Sequence, residues 1–280
     1  MRPISNETSV RRPAVAGLFY PAEATELRAF VSELLRQGSG PAALAPAKAF
    51  IVPHAGYVYS GIIAASAYAH VAAQRGTVRR IVLVGPSHRT YLRGACAPGA
   101  DAFETPLGEI PVDRELRQTL LRRGDVLQSD QPHATEHCLE VQLPFLQLAL
   151  SRFTLLPLLF GDASVEYVAS VLEEVWGERD TLILASSDLS HYRAYKAAEQ
   201  IDAATSAAIL ALEPTLGSDQ ACGAVAVNGL LRAAMRRGLQ ATELARCNSG
   251  DTAGDRTRVV GYGAFAFHHA SFDGGKGGSA

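Results

Sequence analysis

Three strand-like apolar runs in this chain each stop abruptly at a tight turn that carries a histidine. Lys48-Ala49-Phe50-Ile51-Val52 leads into Pro53-His54-Ala55-Gly56-Tyr57, and Arg80-Ile81-Val82-Leu83-Val84 into Gly85-Pro86-Ser87-His88. Thr181-Leu182-Ile183-Leu184-Ala185 leads into Ser186-Ser187-Asp188-Leu189-Ser190-His191. Short apolar runs without polar alternation, bounded by turn residues, read as strands buried on both faces of a sheet. Open α/β sheets collect ligands at the carboxyl ends of their strands. One turn histidine is an ordinary surface or packing residue. Three at equivalent strand ends point to a single cleft lined by imidazoles, and the commonest use of such a cleft is to hold a metal.

The segments between these strands support the same fold class. Residues 23–37 carry Leu27, Phe30, Val31, Leu34 and Leu35 on one helical face, and residues 61–73 read as a small-residue helix. Asp113 is a helix N-cap ahead of residues 114–122. Residues 139–150 have a helical pattern with Pro144 as a kink. In the second half, strands are expected at 153–160, 240–246 and 257–267, and helices at 165–176, 194–212 and 219–237. This alternation predicts an α/β domain over residues 10–270, a mostly parallel sheet with helices on both faces. Residues 11–21, bounded by prolines, are expected to lie extended across the body of the domain. Residues 1–9 and 271–280 are expected to be disordered tails.

Bulk properties exclude several function classes. Formal net charge is −2, which gives no general pull toward nucleic acid or anionic membrane. No apolar run approaches the roughly 18 residues of a bilayer span. The first residues lack a hydrophobic signal core. Cys96, Cys138, Cys222 and Cys247 form no CxxC pair, which suits reduced thiols and a cytoplasmic protein.

Candidate chemistry gathers in a few places. The prolines and glycines around His54 and His88 make rigid turns, which a metal site needs. Asp188, three residues before His191, is placed either to orient that ring or to cap a following helix. His133, Glu136, His137 and Glu140 form a dense polar cluster whose reading stays open between pocket lining and half-exposed surface. Cys247 follows another strand and shares the strand-end position; Cys222, before Gly223, is a weaker candidate, and Cys96 and Cys138 read as packing. There is no His-Glu-x-x-His protease pattern and no Gly-x-Ser-x-Gly elbow.

With these blocks in hand, the chain resembles the Memo-like family, called AmmeMemoRadiSam system protein B in bacteria and archaea. The resemblance spans nearly the whole chain. It rests on the segment from Arg12 to Pro21, Pro53-His54-Ala55-Gly56-Tyr57, Gly85-Pro86-Ser87-His88, Glu136-His137 with Glu140-Val141-Gln142-Leu143-Pro144-Phe145, Ser186 to Tyr192, and Ser249-Gly250-Asp251. It implies a fold similar to class III extradiol dioxygenases, which are non-haem Fe(II) enzymes. It also implies His54 and His88 as the first two metal ligands, Cys247 at the family's cysteine ligand position, and His191 as acid–base with Asp188 beside it. The resemblance implies iron or copper as the metal, and a thiolate in place of the dioxygenase carboxylate makes the site softer, which favours copper or zinc. The thiolate is also oxidisable beside iron and oxygen, which predicts weak ring cleavage of simple catechols. The family name further implies Ammecr-type and radical-SAM proteins as partners. Two functions follow as expectations: a metal-dependent oxidoreductase acting on a small molecule, or a ligand- or partner-binding protein that keeps the dioxygenase cleft without the reaction.

Overall fold

Elements follow one another in the order the sequence pattern suggests. The computed structural model describes residues 9–38 and 46–270. β1 (Val10–Arg11) is followed by α1 (Ala24–Gln37), β2 (Ala49–Val52), α2 (Tyr57–Ala73) and β3 (Arg80–Pro86). Short elements come next: β4 (Ala95–Ala97), β5 (Ala102–Thr105), β6 (Gly108–Pro111), α3 (Arg114–Leu121), β7 (Val126–Gln128) and the single turn α4 (Gln131–Ala134). A 3₁₀ turn (Glu140–Gln142) runs into α5 (Leu143–Ala149), then β8 (Thr154–Phe160), α6 (Val165–Glu174), β9 (Thr181–Ser186) and β10 (His191–Arg193). The chain continues through α7 (Tyr195–Leu210), α8 (Ala224–Arg236), β11 (Leu239–Asn248) and β12 (Val259–His269).

The large sheet has the order β10-β12-β2-β9-β3-β8-β4-β7, with β11 on the other edge of β12. Its centre, β2-β9-β3-β8, is parallel, while β12 runs antiparallel to β2 and β4 antiparallel to β8. Alternate residues of each central strand enter different cores, as the period-2 geometry of a strand requires. Phe50, Val52, Ile81, Leu83, Leu182 and Leu184 pack with α1, α2 and α5 on one face. Ala49, Ile51, Val82, Val84, Ile183 and Ala185 pack with α3, α6 and α8 on the other. The unbroken apolar runs of the sequence are therefore strands buried on both sides. No helix among the described residues is long and apolar enough to cross a membrane.

Several details differ from the pattern, for local reasons. Pro144 does not kink a helix; it sits in the first turn of α5, where its missing N–H needs no partner. The helix expected at 219–237 begins only at Ala224, because Cys222 N–H is drawn to the Asp188 carbonyl (3.3 Å) and Gly223 N–H to Ser187 Oγ (2.9 Å). The tail expectations fall outside the described residues except at Ser9, which is docked: its carbonyl accepts from Asp101 N–H at 2.7 Å. Asp113 caps α3 as expected, its carboxylate accepting from Leu116 N–H at 3.0 Å.

Residues 10–21 do lie across the body. β1 pairs in parallel with β5, in a separate three-stranded sheet with β6. The segment is held by one carboxylate. Glu140, fully buried, accepts from Arg11 Nη1, from the N–H groups of Ala14 (2.8 Å) and Val15 (3.0 Å), and from Tyr20 Oη (2.5 Å). Arg11 in turn donates to the carbonyls of His133 (3.0 Å) and Glu136 (2.7 Å). Glu140 is thus an anchor for this strap.

His133 is likewise structural. Its Nε2–H donates to the Cys96 carbonyl at 3.2 Å, and its buried Nδ1 has no partner. Burial lowers its pKa to about 4 from the ordinary 6.5. Between those values the unfolded chain binds the extra proton, so the stability His133 contributes is fully present above about pH 6.5 and is lost as pH falls toward 4. At roughly 1.4 kcal/mol per pKa unit this amounts to about 3 kcal/mol. Urea midpoints of His133→Gln should therefore fall less steeply over that interval than those of the parent protein. An unchanged slope would remove His133 as the titrating group.

Candidate metal centre

Because β2, β9 and β3 are adjacent and parallel, the turns after them are brought to one edge of the sheet. His54 follows β2, Ser187 and Asp188 follow β9, and His88 follows β3. The His54 and His88 rings lie 5.2 Å apart, nearly perpendicular. Cys222, in the turn before α8, completes the group: its Sγ is 3.2 Å from His54 Nε2. One ligand atom from each of His54, His88 and Cys222 lies within 4.8 Å of the others. Gly223 makes this approach feasible, since a Cβ there would stand 2.8 Å from both the Ser186 carbonyl and Ser187 Cβ.

Cys222, and not the expected Cys247, is the cysteine that the fold brings beside the two histidines. Cys247 belongs to no such group among the described residues. It lies on β11 opposite Tyr262 of β12, with β12 between it and β2. It shares the carboxyl edge, yet two strand spacings put it roughly 10 Å to the side of His54. Cys247 packs against the core as a half-buried thiol, and burial pushes its pKa up to about 12.

Hydrogen bonds around the two imidazoles settle their tautomers. Ser186 Oγ donates its one proton to the Cys138 carbonyl (2.7 Å) and accepts from Gln142 Nε2 (2.8 Å). Gln142 is itself fixed by Tyr68 Oη and the Pro53 carbonyl. Ser186 Oγ can then only accept from His54 Nδ1, 3.0 Å away, so His54 carries its proton on Nδ1 and turns the Nε2 lone pair toward Cys222. His88 is held the same way: Glu136 Oε1 takes its Nδ1–H at 2.9 Å and Oε2 its backbone N–H at 2.6 Å. Glu136 also accepts from the N–H groups of His137 (3.0 Å) and Cys138 (3.1 Å). Burial alone would raise this carboxyl, but the surrounding His137 and His88 donors hold it well below the usual carboxylate range. Histidines whose outer nitrogen is engaged by a carboxylate or hydroxyl, with the inner one free, are the usual metal-ligand arrangement.

Electrostatics favour the same reading. Burial, with the neighbouring His137 and His88, lowers the His54 pKa well below the ordinary value, so His54 is neutral at neutral pH. Burial and the nearby Asp188 push the Cys222 thiol up to about 12. Without a cation the thiol keeps its proton and faces His54 Nε2; a bound cation would replace that proton. Two imidazole lone pairs and one thiol fit a transition metal of borderline or soft character.

Asp188 and His191 border this cluster but are not joined to each other. Asp188 Oδ1 accepts from His54 N–H at 2.7 Å, and His191 Nδ1 donates to the Leu189 carbonyl at 2.9 Å. The expected aspartate grip on the His191 ring is replaced by a backbone carbonyl, and no helix follows for Asp188 to cap; β10 does. Burial raises the Asp188 pKa, and the bond from His54 N–H, then the nearby His191, partly offset this. His191 N–H and C=O sit on β10, paired with Val260 of β12. The next residue, Tyr192, has φ +55°, an uncommon value for a non-glycine residue and one often stored beside functional groups.

His137 is the residue whose part the sequence left open. Its ring stacks on His88 (4.9 Å, 28°), meets His54 edge-on (5.3 Å, 86°) and is backed by Phe19 of the strap (4.8 Å). Glu140, by contrast, serves the strap and not the cleft.

Fold and cluster together define an α/β protein with a histidine–cysteine candidate metal centre at its strand ends. The chain belongs to the Memo-like protein family, whose model matches residues 11–266. It is 35% identical over 282 residues to a MEMO1 family protein of Methanopyrus kandleri, covering 92% of this chain and 98% of that one. It is 36% identical over 265 residues to a MEMO1 family protein of Aquifex aeolicus, covering 90% and 97%. Among solved structures, an uncharacterized protein from Escherichia coli K12 matches with TM-score 0.49 at 14% identity, covering 76% of this chain and 98% of that one.

Proposed function

We propose that this protein binds a single transition metal ion, iron or copper, through His54 Nε2, His88 Nε2 and Cys222 Sγ, and serves as a metal-dependent oxidoreductase on a small molecule. The observation that carries this reading is the tautomer control: Ser186 and Glu136 engage the outer nitrogens and leave two inner lone pairs beside a thiol. Bound there, such a metal would supply one-electron redox chemistry. His191, with Nδ1–H tied to the Leu189 carbonyl, keeps Nε2 free as an acid–base in the cleft. Asp188 holds the His54 turn through the backbone N–H and adds negative charge next to the cluster. An oxidisable thiol in the donor set favours a second reading, a ligand-binding protein that keeps the cleft but cleaves no catechol ring.

Metal content of protein purified without chelator tests the first step. The His54→Ala/His88→Ala double variant should lose stoichiometric metal, whereas His191→Ala should keep affinity within about threefold, since it loses no ligand. Full occupancy in the double variant would overturn the site. Anaerobic loading with Fe(II), then air and a panel of catechols, separates the two readings: ring-cleaved product over many turnovers with Cys222 unmodified makes the protein a dioxygenase.

A further inference from the structure

Four imidazoles meet around this cleft, and the proposed metal uses only two of them. His137 is the one without an assignment. It contacts both ligand rings, yet its nitrogens form no group with His54 and Cys222 within 4.8 Å, so it stands next to the ligand set and not in it. Its Nδ1 is buried without a hydrogen bond, 3.1 Å from Glu136 Oε1 at a poor angle. A lone pair facing a carboxylate oxygen at that distance is repelled, which puts the ring proton on Nδ1. Nε2 then carries the lone pair; it has no hydrogen-bond partner among the described residues and is not buried. His54, His88 and His191 follow the same pattern, each with Nδ1 on a protein acceptor: Ser186 Oγ, Glu136 Oε1 and the Leu189 carbonyl. Two Nε2 lone pairs, those of His54 and His88, serve the metal, and two are left over.

We infer that His137 is a ligand-binding residue of the cleft, its Nε2 accepting a hydrogen bond from a hydroxyl of a small hydroxylated molecule held at the metal. This rests on the metal-centre reading above. Acceptors without donors select a ligand that brings its own O–H groups, because an aprotic ligand leaves both lone pairs unpaired. Phe19 supports the ring from behind, so its orientation is kept by packing when the cleft is empty. The strap anchored by Glu140 therefore places one wall of the ligand site.

Protein loaded anaerobically with Fe(II) and titrated with 4-nitrocatechol, followed by its visible spectrum, tests this. Azide serves as an aprotic probe of the same metal. His137→Phe, which keeps the packing, should weaken 4-nitrocatechol about tenfold, the effect of one net hydrogen bond. Metal stoichiometry and azide affinity should stay within twofold. His137→Gln, whose carbonyl can accept, should recover most of the loss. Equal weakening of both probes, loss of metal, or no change in 4-nitrocatechol affinity would each overturn the inference. Parent protein that takes up no metal would instead overturn the metal-centre reading.

Discussion

Cys222→Ser should lower metal affinity by more than about 100-fold, while Cys247→Ser should leave it within about twofold. The first substitution removes the proposed ligand atom, 3.2 Å from His54 Nε2; the second removes a thiol two strands away. Losing a group that only orients a ligand already costs 10–100-fold in comparable sites, so losing the ligand itself should cost at least the upper end. Competition with a chromogenic chelator measures both variants on one scale. Equal losses, or a larger loss for Cys247→Ser, would return the cysteine ligand to β11. The parent and Cys222→Ser proteins should melt at similar temperatures without metal, because the turn keeps its bonds from Cys222 N–H to the Asp188 carbonyl and from Gly223 N–H to Ser187 Oγ, which do not involve sulfur.

Glu140→Ala should be the most destabilising single substitution outside the apolar core. The carboxylate is fully buried and takes bonds from Arg11, Ala14, Val15 and Tyr20. Its removal leaves a buried guanidinium and two backbone N–H groups without their partner. Breaking a buried ion pair from one side costs about 3–5 kcal/mol. For a chain of this size that corresponds to a drop of roughly 10 °C in the melting temperature of the metal-free protein. A change below 2 °C would show that the strap is held by its apolar contacts and not by this carboxylate. Because Phe19 rides on the strap, the same variant should also loosen the packing behind His137.

His54 and His88 were legible in the sequence because strand ends and tight turns are local signals, and parallel neighbours share an edge whatever their order. The cysteine was not legible, for two separate physical reasons. Residues 219–237 have a continuous helical pattern, and only tertiary hydrogen bonds to Ser187 and Asp188 keep Cys222 and Gly223 out of the helix. The glycine directly after Cys222 was the one local sign of a turn. Cys247 stands to the side of the histidines because β12 lies between β11 and β2, a strand order that depends on distant pairings. A similar long-range bond decided Asp188, whose side chain reaches back to His54 N–H and not forward to His191. The dense cluster at 133–140 was seen but not resolved. It splits three ways: His133 and Glu140 are structural, Glu136 orients His88, and His137 faces the cleft.

His54 and Cys222 are 168 positions apart, and the four sequence segments around the cluster each come from a different strand end or turn. A site spread so widely along the chain has no local precursor: it exists only after β2, β9 and β3 have registered and α8 has docked, and topologies rich in such distant pairings fold slowly.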